Sequence, residues 1–547
     1  MFFSLRNCNM GCSSFAVLQR SLNRYLSLRG AVLAETGDYT IRLQIRDTVS
    51  YSYSLEPEEN GVSITASCDC DAHAAVGHLL SLLDVREGAG FTPLKEAVFH
   101  SHKKSVRGMY FATHFFNFYH SAPVEEVYDV IEDLALQGCN SLLVWFDMHH
   151  FTSMRDPEAV ELAERLKQFL LYSKSIGMSR AMLMLSNESF ADSPEHLRAK
   201  WEARGNYLHN LNGHFHVEIC PSTEEGMAEI LRQRREMLEY FRSVELDYVV
   251  YWPYDQGGCS CEKCEPWGTN GFLKILPHFQ NLAKAYFPNA EVIVSTWDFD
   301  GFIKGEWDVL YKKLTTGELP DIRYLMAFFY HGNLPQCFAE NGVPAGIHLI
   351  DFPEISMHCT TPWGGYGGVL DMDFLEGSWR GDFFDGGYPY SEGLFECVNK
   401  YIVLSCFYSG RYKTVREALR AFIRQYFCCD GEDMLLAMEK MQHNTKKEPV
   451  QTATQEQQFR VEAAPEQIDF IWEVFEKYNR ILPEKITSHY MFRIFYLRSL
   501  IDYELLHNEG LLSRSEKARN ALLELEEIYH TSEKSCEYLR PPVDFKT

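Results

Sequence analysis

Between residues 249 and 264 the chain reads Val-Val-Tyr-Trp-Pro-Tyr-Asp-Gln-Gly-Gly-Cys-Ser-Cys-Glu-Lys-Cys. An apolar run that ends in Asp255 beside Gly257 and Gly258 is how α/β enzymes set a reactive carboxylate at the mouth of a pocket, because a rigid strand fixes its position. The same segment carries Cys259, Cys261 and Cys264. Three thiols so close can ligate a soft cation, with Zn²⁺ the first choice and Cys220 or His278 as a fourth ligand. They can equally act as reduced thiols that stabilise the loop, or as a redox group. A zinc ion here would stiffen the loop carrying Asp255 rather than activate water, so no cofactor is required for chemistry.

The ends of other apolar runs carry His114, Asp147, Glu188, Asp298, His331, Asp351, Glu354 and Glu392. Any one of these can instead cap the helix that follows, the ordinary duty of a strand-end Asp. Trp145, Trp252, Trp267, Trp297, Trp363 and Trp379 fall at or just past the same runs. Flat apolar rings with a polar edge suit sugar rings, but they also pack barrel walls, and Trp145, inside its run, fits the wall. Residues 364–368, Gly-Gly-Tyr-Gly-Gly, are a candidate lid. They follow no strand-to-helix turn of the phosphate-binding type.

The elements that position these residues recur as strand-then-helix units every 35 to 50 residues or so, the mark of parallel βα architecture. Strands are predicted at 106–111, 141–146, 181–185, 247–252, 291–296, 323–328 and 346–350, with a less clear eighth near 390–392. Helices are predicted at 123–136, 157–176, 224–241, 272–286 and 395–407. Eight such strands over about 300 residues predict a (β/α)8 barrel, whose reactive groups come from the carboxyl ends of the strands. Residues 1–100 read as a small α/β domain, with helices at 18–28 and 72–83 and strands at 39–46 and 62–67. The barrel is placed at 101–412. Residues 413–547 read as an all-α domain for packing or homodimer formation, with 446–458 a polar linker.

Composition narrows the function classes. The 547 residues are 46% hydrophobic and 23% charged, which describes a folded chain with ample core. A net charge of −24 argues against nucleic acid, whose phosphates demand clustered Lys and Arg. No apolar run reaches the roughly 18 residues of a membrane span, and Arg6, Asn7, Asn9 and Arg20 interrupt any leader-like segment. Together with 16 Cys that read as reduced thiols, this predicts a cytoplasmic protein with no membrane partner.

The residues also carry a family resemblance. The strands at 39–43 and 61–67, the helix at 72–83, the Arg107-Gly108-Met109-Tyr110 start of the barrel and Asp255-Gln256-Gly257-Gly258 with its Cys-x-Cys-x-x-Cys resemble the hexosaminidase-like superfamily of glycoside hydrolases over about residues 35–430. The Asp-plus-Cys motif is similar to a bacterial branch that includes endo-β-N-acetylglucosaminidases of complex N-glycans and relatives of the α-glucuronidases. The resemblance implies a hydrolase that cleaves a neutral or N-acetylated sugar from an oligosaccharide or glycoconjugate. In the family-20 enzymes the fourth strand ends in Asp-Glu, the Asp orienting the substrate acetamido group and the Glu acting as general acid. Here the second position is Gln256, which cannot donate a catalytic proton, so the acid must come from another strand or the mechanism must differ.

Glycoside hydrolysis needs two carboxyl groups flanking the scissile bond. Asp255 is one candidate, with Glu188, Glu354, Asp298 and Glu392 as possible partners. Arg107, His114, Trp252, Trp297, His331, Asp351 and Trp363 are the expected substrate-binding residues. An α-glucuronidase-like reaction would add basic residues for the uronate, with Arg180, Lys304, Arg323 and Arg380 as candidates. A carbohydrate-binding barrel without catalysis is the third reading, motivated by Gln256.

Overall fold

Eight parallel strands close into a ring in the computed structural model: β1 (Val106–Phe111), β2 (Ser141–Trp145), β3 (Ser179–Leu185), β4 (Tyr248–Trp252), β5 (Glu291–Ser295), β6 (Tyr324–Ala327), β7 (His348–Asp351) and β8. The structure describes all residues except 87–89, 114–115, 201–216, 254–256, 302, 320–321, 328–332, 357–366, 379–382, 452–456, 462, 512–513, 533 and 535–547. β1 pairs with β2 on one side and with β8 on the other, which closes the barrel. β8 is two short pieces, Gly386–Gly387 and Tyr390–Ser391. Pro389 separates them and donates no ladder hydrogen bond, which is why this strand is faint in the sequence.

Side chains alternate across each strand, so the ring builds two cores. Leu143 and Trp145, Leu183 and Leu185, Val250 and Trp252, and Ile350 and Phe352 fill the lumen. Leu142, Val249, Val292 and Leu349 face the surrounding helices. Those helices start where the sequence supplies caps. The Asp156 side chain accepts from the Glu158 N–H beside Pro157 in the helix Pro157–Ser175, and Thr223 accepts from Gly226 N–H in Glu224–Phe241.

Before the barrel lies a mixed six-stranded sheet, in the order Val32–Leu33, Phe2–Asn7, Tyr39–Ile45, Gly61–Ala66, Tyr53–Glu58, Val98–His100. Helix Asp69–Leu82 is buried nearly throughout. One face meets the sheet, while the other packs against the barrel helix Val124–Gln137. Gly77 permits this: a Cβ there would fall 1.9 Å from the Leu136 carbonyl oxygen.

The C-terminal part is helical, with Glu432–Met441, Pro465–Ile481, Tyr490–His507 and Glu516–Tyr529 as its main elements. It is not all-α. Of the expected linker at 446–458, residues 446–451 and 457–458 lie in an antiparallel strand pair, Thr445–Gln451 with Gln457–Val461. Among the described residues no helix is long and apolar enough to cross a membrane.

Candidate active site

The carboxyl end of the barrel is floored by aromatic rings. Trp252 lies 5.3 Å from Trp297 and 4.7 Å from Phe352, centroid to centroid, and Tyr110 sits 5.6 Å from Phe352 and 5.5 Å from Tyr390. Trp252 is buried and Trp297 half-buried. Trp267 does something else. Its Nε1–H donates to the Pro253 carbonyl at 2.7 Å, and its ring fills a slot where Gly258 and Gly271 leave room, so it packs the loop after β4.

Above the floor, the ends of β2 and β3 form one polar corner. Glu188 is buried at the end of β3. Its carboxylate accepts from His149 Nδ1 at 2.8 Å, from the His149 backbone N–H at 3.4 Å and from Trp145 Nε1–H at 3.4 Å. Trp145 therefore belongs to the lumen and reaches the site. The buried Arg234 guanidinium donates to the Leu185 and Glu188 carbonyls at 2.5 and 2.8 Å, which fixes the backbone that carries this carboxylate. Burial would lower the His149 pKa, but the hydrogen bond and charge of Glu188 outweigh it and raise it. Asp147 lies beside them with its Oδ1 unbonded among the described residues. Burial first, then repulsion from Glu188 against the pull of His149, pushes its carboxyl up to about 7.

A second corner forms where β7 and β8 end. Glu392 is fully buried, accepts from the Tyr390 hydroxyl at 2.7 Å and leaves Oε2 unbonded among the described residues. Its pKa is held well above the usual carboxylate range by burial, and the charges of Glu354 and Glu396 add to this. The turn is rigid because Glu396 accepts from Ser391 Oγ and from the backbone N–H groups of Glu392 and Gly393 at 2.6 to 2.9 Å. Tyr529 of the last helix donates to the Glu392 carbonyl at 2.8 Å, so the C-terminal region braces this end of the barrel. Glu354 is half-buried, bridges to the backbone of Tyr390 and accepts from Ser356 N and Oγ at 2.8 and 2.9 Å.

Other expected residues are placed differently. Arg107 lies at the opposite, amino end of the barrel. It points outward from β1 and bonds Asp71, Gly138 and Lys104, so it joins the first domain to the barrel and is not a substrate contact. Asp351 is also corrected. Ile350 and Phe352 face the lumen, which turns Asp351 outward, where its Oδ1 accepts from the Phe352 N–H. Asp298 sits in the turn after β5 with φ of 54° and is half-buried. Asp255, His114, His331, Trp363, Trp379, Arg380 and Gln256 lie outside the described residues. Of the expected lid, Gly367 and Gly368 are described and pack on the helix Tyr490–His507, with Arg498 bonding the Gly368 carbonyl.

Cys259, Cys261 and Cys264 meet Cys220, and all four thiols lie within 4.8 Å of one another. His278 lines a surface groove between the helices Glu224–Phe241 and Leu273–Tyr286, so it is not the fourth member. The sequence reasoning did not single out His149, Arg234, Asn187 or Tyr390. The signal for His149 was present in Asp147-Met148-His149-His150 directly after a strand.

No protein-family model matches the sequence, and no curated protein matches it. Solved structures do share its fold. The exo-β-N-acetylglucosaminidase of glycoside hydrolase family 20 from Vibrio harveyi, in complex with N-acetylglucosamine, aligns with a TM-score of 0.53 at 13% identity, over 80% of this chain and 74% of that one. The family 89 glycoside hydrolase from Clostridium perfringens aligns at 0.59 and 12% identity, over 94% and 65%. A family 115 4-O-methyl-α-glucuronidase with specificity for decorated arabinogalactans aligns at 0.60 and 10% identity, over 98% and 78%.

Proposed function

We propose that the chain is a glycoside hydrolase that cleaves a neutral or N-acetylated sugar at the carboxyl end of its barrel. One observation carries the reading: carboxyl groups in contrasting environments ring an aromatic floor. Burial holds the Glu392 carboxyl well above the usual carboxylate range, the direction a general acid needs, whereas Glu188 accepts hydrogen bonds from three nitrogen donors. Glycosidases divide acid and base work between two carboxyl groups. The fold neighbours support the class, since their names describe enzymes acting on glycosides, one of them bound to N-acetylglucosamine.

In this reading Glu392 protonates the leaving-group oxygen. Asp255, two residues beyond Pro253 at the end of β4, and Glu188 on the neighbouring β3 act on the sugar, one of them orienting it or activating water. Gln256 then has no proton to supply, because the acid sits on β8. Trp252 and Trp297 offer faces against which a sugar ring stacks.

The α-glucuronidase reading finds less support. Arg180 pairs with Asp247 and Arg323 with Glu291, both at the amino end of the barrel, and Lys304 bonds the Asp300 carbonyl. A uronate needs such groups at the mouth.

Leaving-group dependence tests the assignment. Wild-type protein should hydrolyse aryl N-acetylglucosaminides, and Glu392→Gln should lose about 10²–10⁴-fold on poor leaving groups but much less on activated aryl ones. Equal loss on all leaving groups would remove Glu392 from the acid role. Binding without turnover of any aryl glycoside would leave the non-catalytic barrel as the correct reading.

A further inference from the structure

We propose that Cys220, Cys259, Cys261 and Cys264 bind one structural zinc ion that ties the loop after β3 to the loop after β4. Cys220 Sγ lies 3.6 Å from Cys259 Sγ and 3.8 Å from the Sγ atoms of Cys261 and Cys264. Four thiolates about 2.3 Å from a zinc ion at the centre of a tetrahedron are separated by about 3.8 Å along each edge. The four sulfurs therefore stand close to the positions of a four-thiolate site.

The chemistry of the donors agrees. Four sulfurs and no carboxylate make a soft, closed set, which suits structural Zn²⁺ and leaves no open position for a reacting water. Cys259 and Cys264 are buried, while Cys220 and Cys261 are half-buried, so an ion could enter from one side.

Backbone contacts prepare the site from both loops. Cys220 N–H bonds the Leu197 carbonyl at 2.9 Å, and Ser260 N–H, between two of the thiols, bonds the Lys200 carbonyl at 2.7 Å. Cys264 N–H returns to the Cys261 carbonyl at 2.9 Å, which closes the Cys-x-x-Cys turn. Gly226 lets Cys220 approach the following helix, since a Cβ at 226 would meet its carbonyl oxygen at 2.1 Å.

The consequence reaches the barrel mouth. Asn187, adjacent to Glu188, donates to the Gly258 carbonyl at 2.8 Å and to the Ile219 carbonyl at 3.0 Å. Gly258 and Ile219 directly precede Cys259 and Cys220. A zinc ion would thus lock the segment on either side of the Asn187 bridge, and with it the spacing between the β3 and β4 ends. The site stands whether or not the mouth hydrolyses glycosides.

The full-length chain, expressed with zinc and purified in buffer freed of loose metal, tests this. Elemental analysis should give about one zinc per chain. Exchange for Co²⁺ should produce the thiolate-to-cobalt charge-transfer and visible bands of a tetrahedral thiolate site. Cys220→Ser should lower bound zinc at least severalfold, and Cys220→His should retain the metal with altered cobalt bands, which covers the case in which the serine variant fails to fold. Zinc-free protein from zinc-supplemented cells, disulfides among these cysteines by mass mapping of freshly purified protein, or full zinc content in Cys220→Ser would each overturn the proposal.

Discussion

The two ends of the barrel use charge in opposite ways. At the amino end, carboxylates face guanidinium groups: Asp71 with Arg107, Asp247 with Arg180, Glu291 with Arg323. At the carboxyl end, Asp147 and Glu188 are paired with histidines, and Glu392 has a tyrosine hydroxyl as its side-chain donor. The pKa values follow. Burial would raise Asp71, yet His102 and Arg107 hold it at about 2, whereas burial prevails at Asp147 and Glu392 and drives both upward. A buried charge with a full partner stabilises one conformation, while a buried acid without one is poised to exchange a proton. Under the proposed function, the amino end serves stability and the carboxyl end serves chemistry.

The contrast between the ends is expected to be largest at Glu188. Glu188→Gln keeps the shape and one acceptor oxygen, and is expected to lower kcat by about 10²–10⁴-fold with little change in melting temperature. Initial rates and a thermal melt on the same sample check this. Arg107→Met should do the reverse. Removing one partner of a buried pair costs roughly 3–5 kcal/mol, so denaturant unfolding should show a loss of that size while kcat at saturating substrate holds in the folded fraction.

A smaller effect separates the ends by pH. The folded-state pKa of Asp147 is raised, so the stabilisation associated with its proton is complete below its unfolded value of about 3.9 and is lost as pH rises through about 7. Asp147→Asn should flatten the decline in melting temperature across that window. Asp71 behaves in the opposite sense: its depressed pKa gives stability above about 3.9 that is lost as pH falls toward about 2. The smallest effect is expected at the half-exposed Arg323–Glu291 pair, where Arg323→Ala should change unfolding free energy by about 0–1 kcal/mol.

Much of the barrel was legible in the sequence because its strands are apolar on both faces. Runs such as Ser141–Trp145 and Tyr248–Trp252 serve the lumen and the helices at once, and so stand out as continuous apolar segments. Interrupted and polar-ended strands were not. Phe2–Asn7 ends in Arg6-Asn7, Tyr53–Glu58 contains Pro57, and Pro389 divides β8, so none shows a clean period. The site was harder for a geometric reason. Nothing local tells that Arg107 and Asp351 turn outward while Trp145 turns inward, because that depends on which face of each strand closes the ring. Cys220 stands 39 positions before Cys259, so the sequence offers it only as an alternative to His278, and the fold decides between them.

The most direct measurement of the contrast between the ends is initial-rate hydrolysis of a panel of aryl glycosides by the wild-type chain, with Glu188→Gln and Arg107→Met assayed beside it. Turnover of a neutral or N-acetylated member, lost in Glu188→Gln and kept per folded molecule in Arg107→Met, is the expected result. No turnover by the wild type across the panel, or loss in Arg107→Met with Glu188→Gln unaffected, would contradict a catalytic carboxyl end.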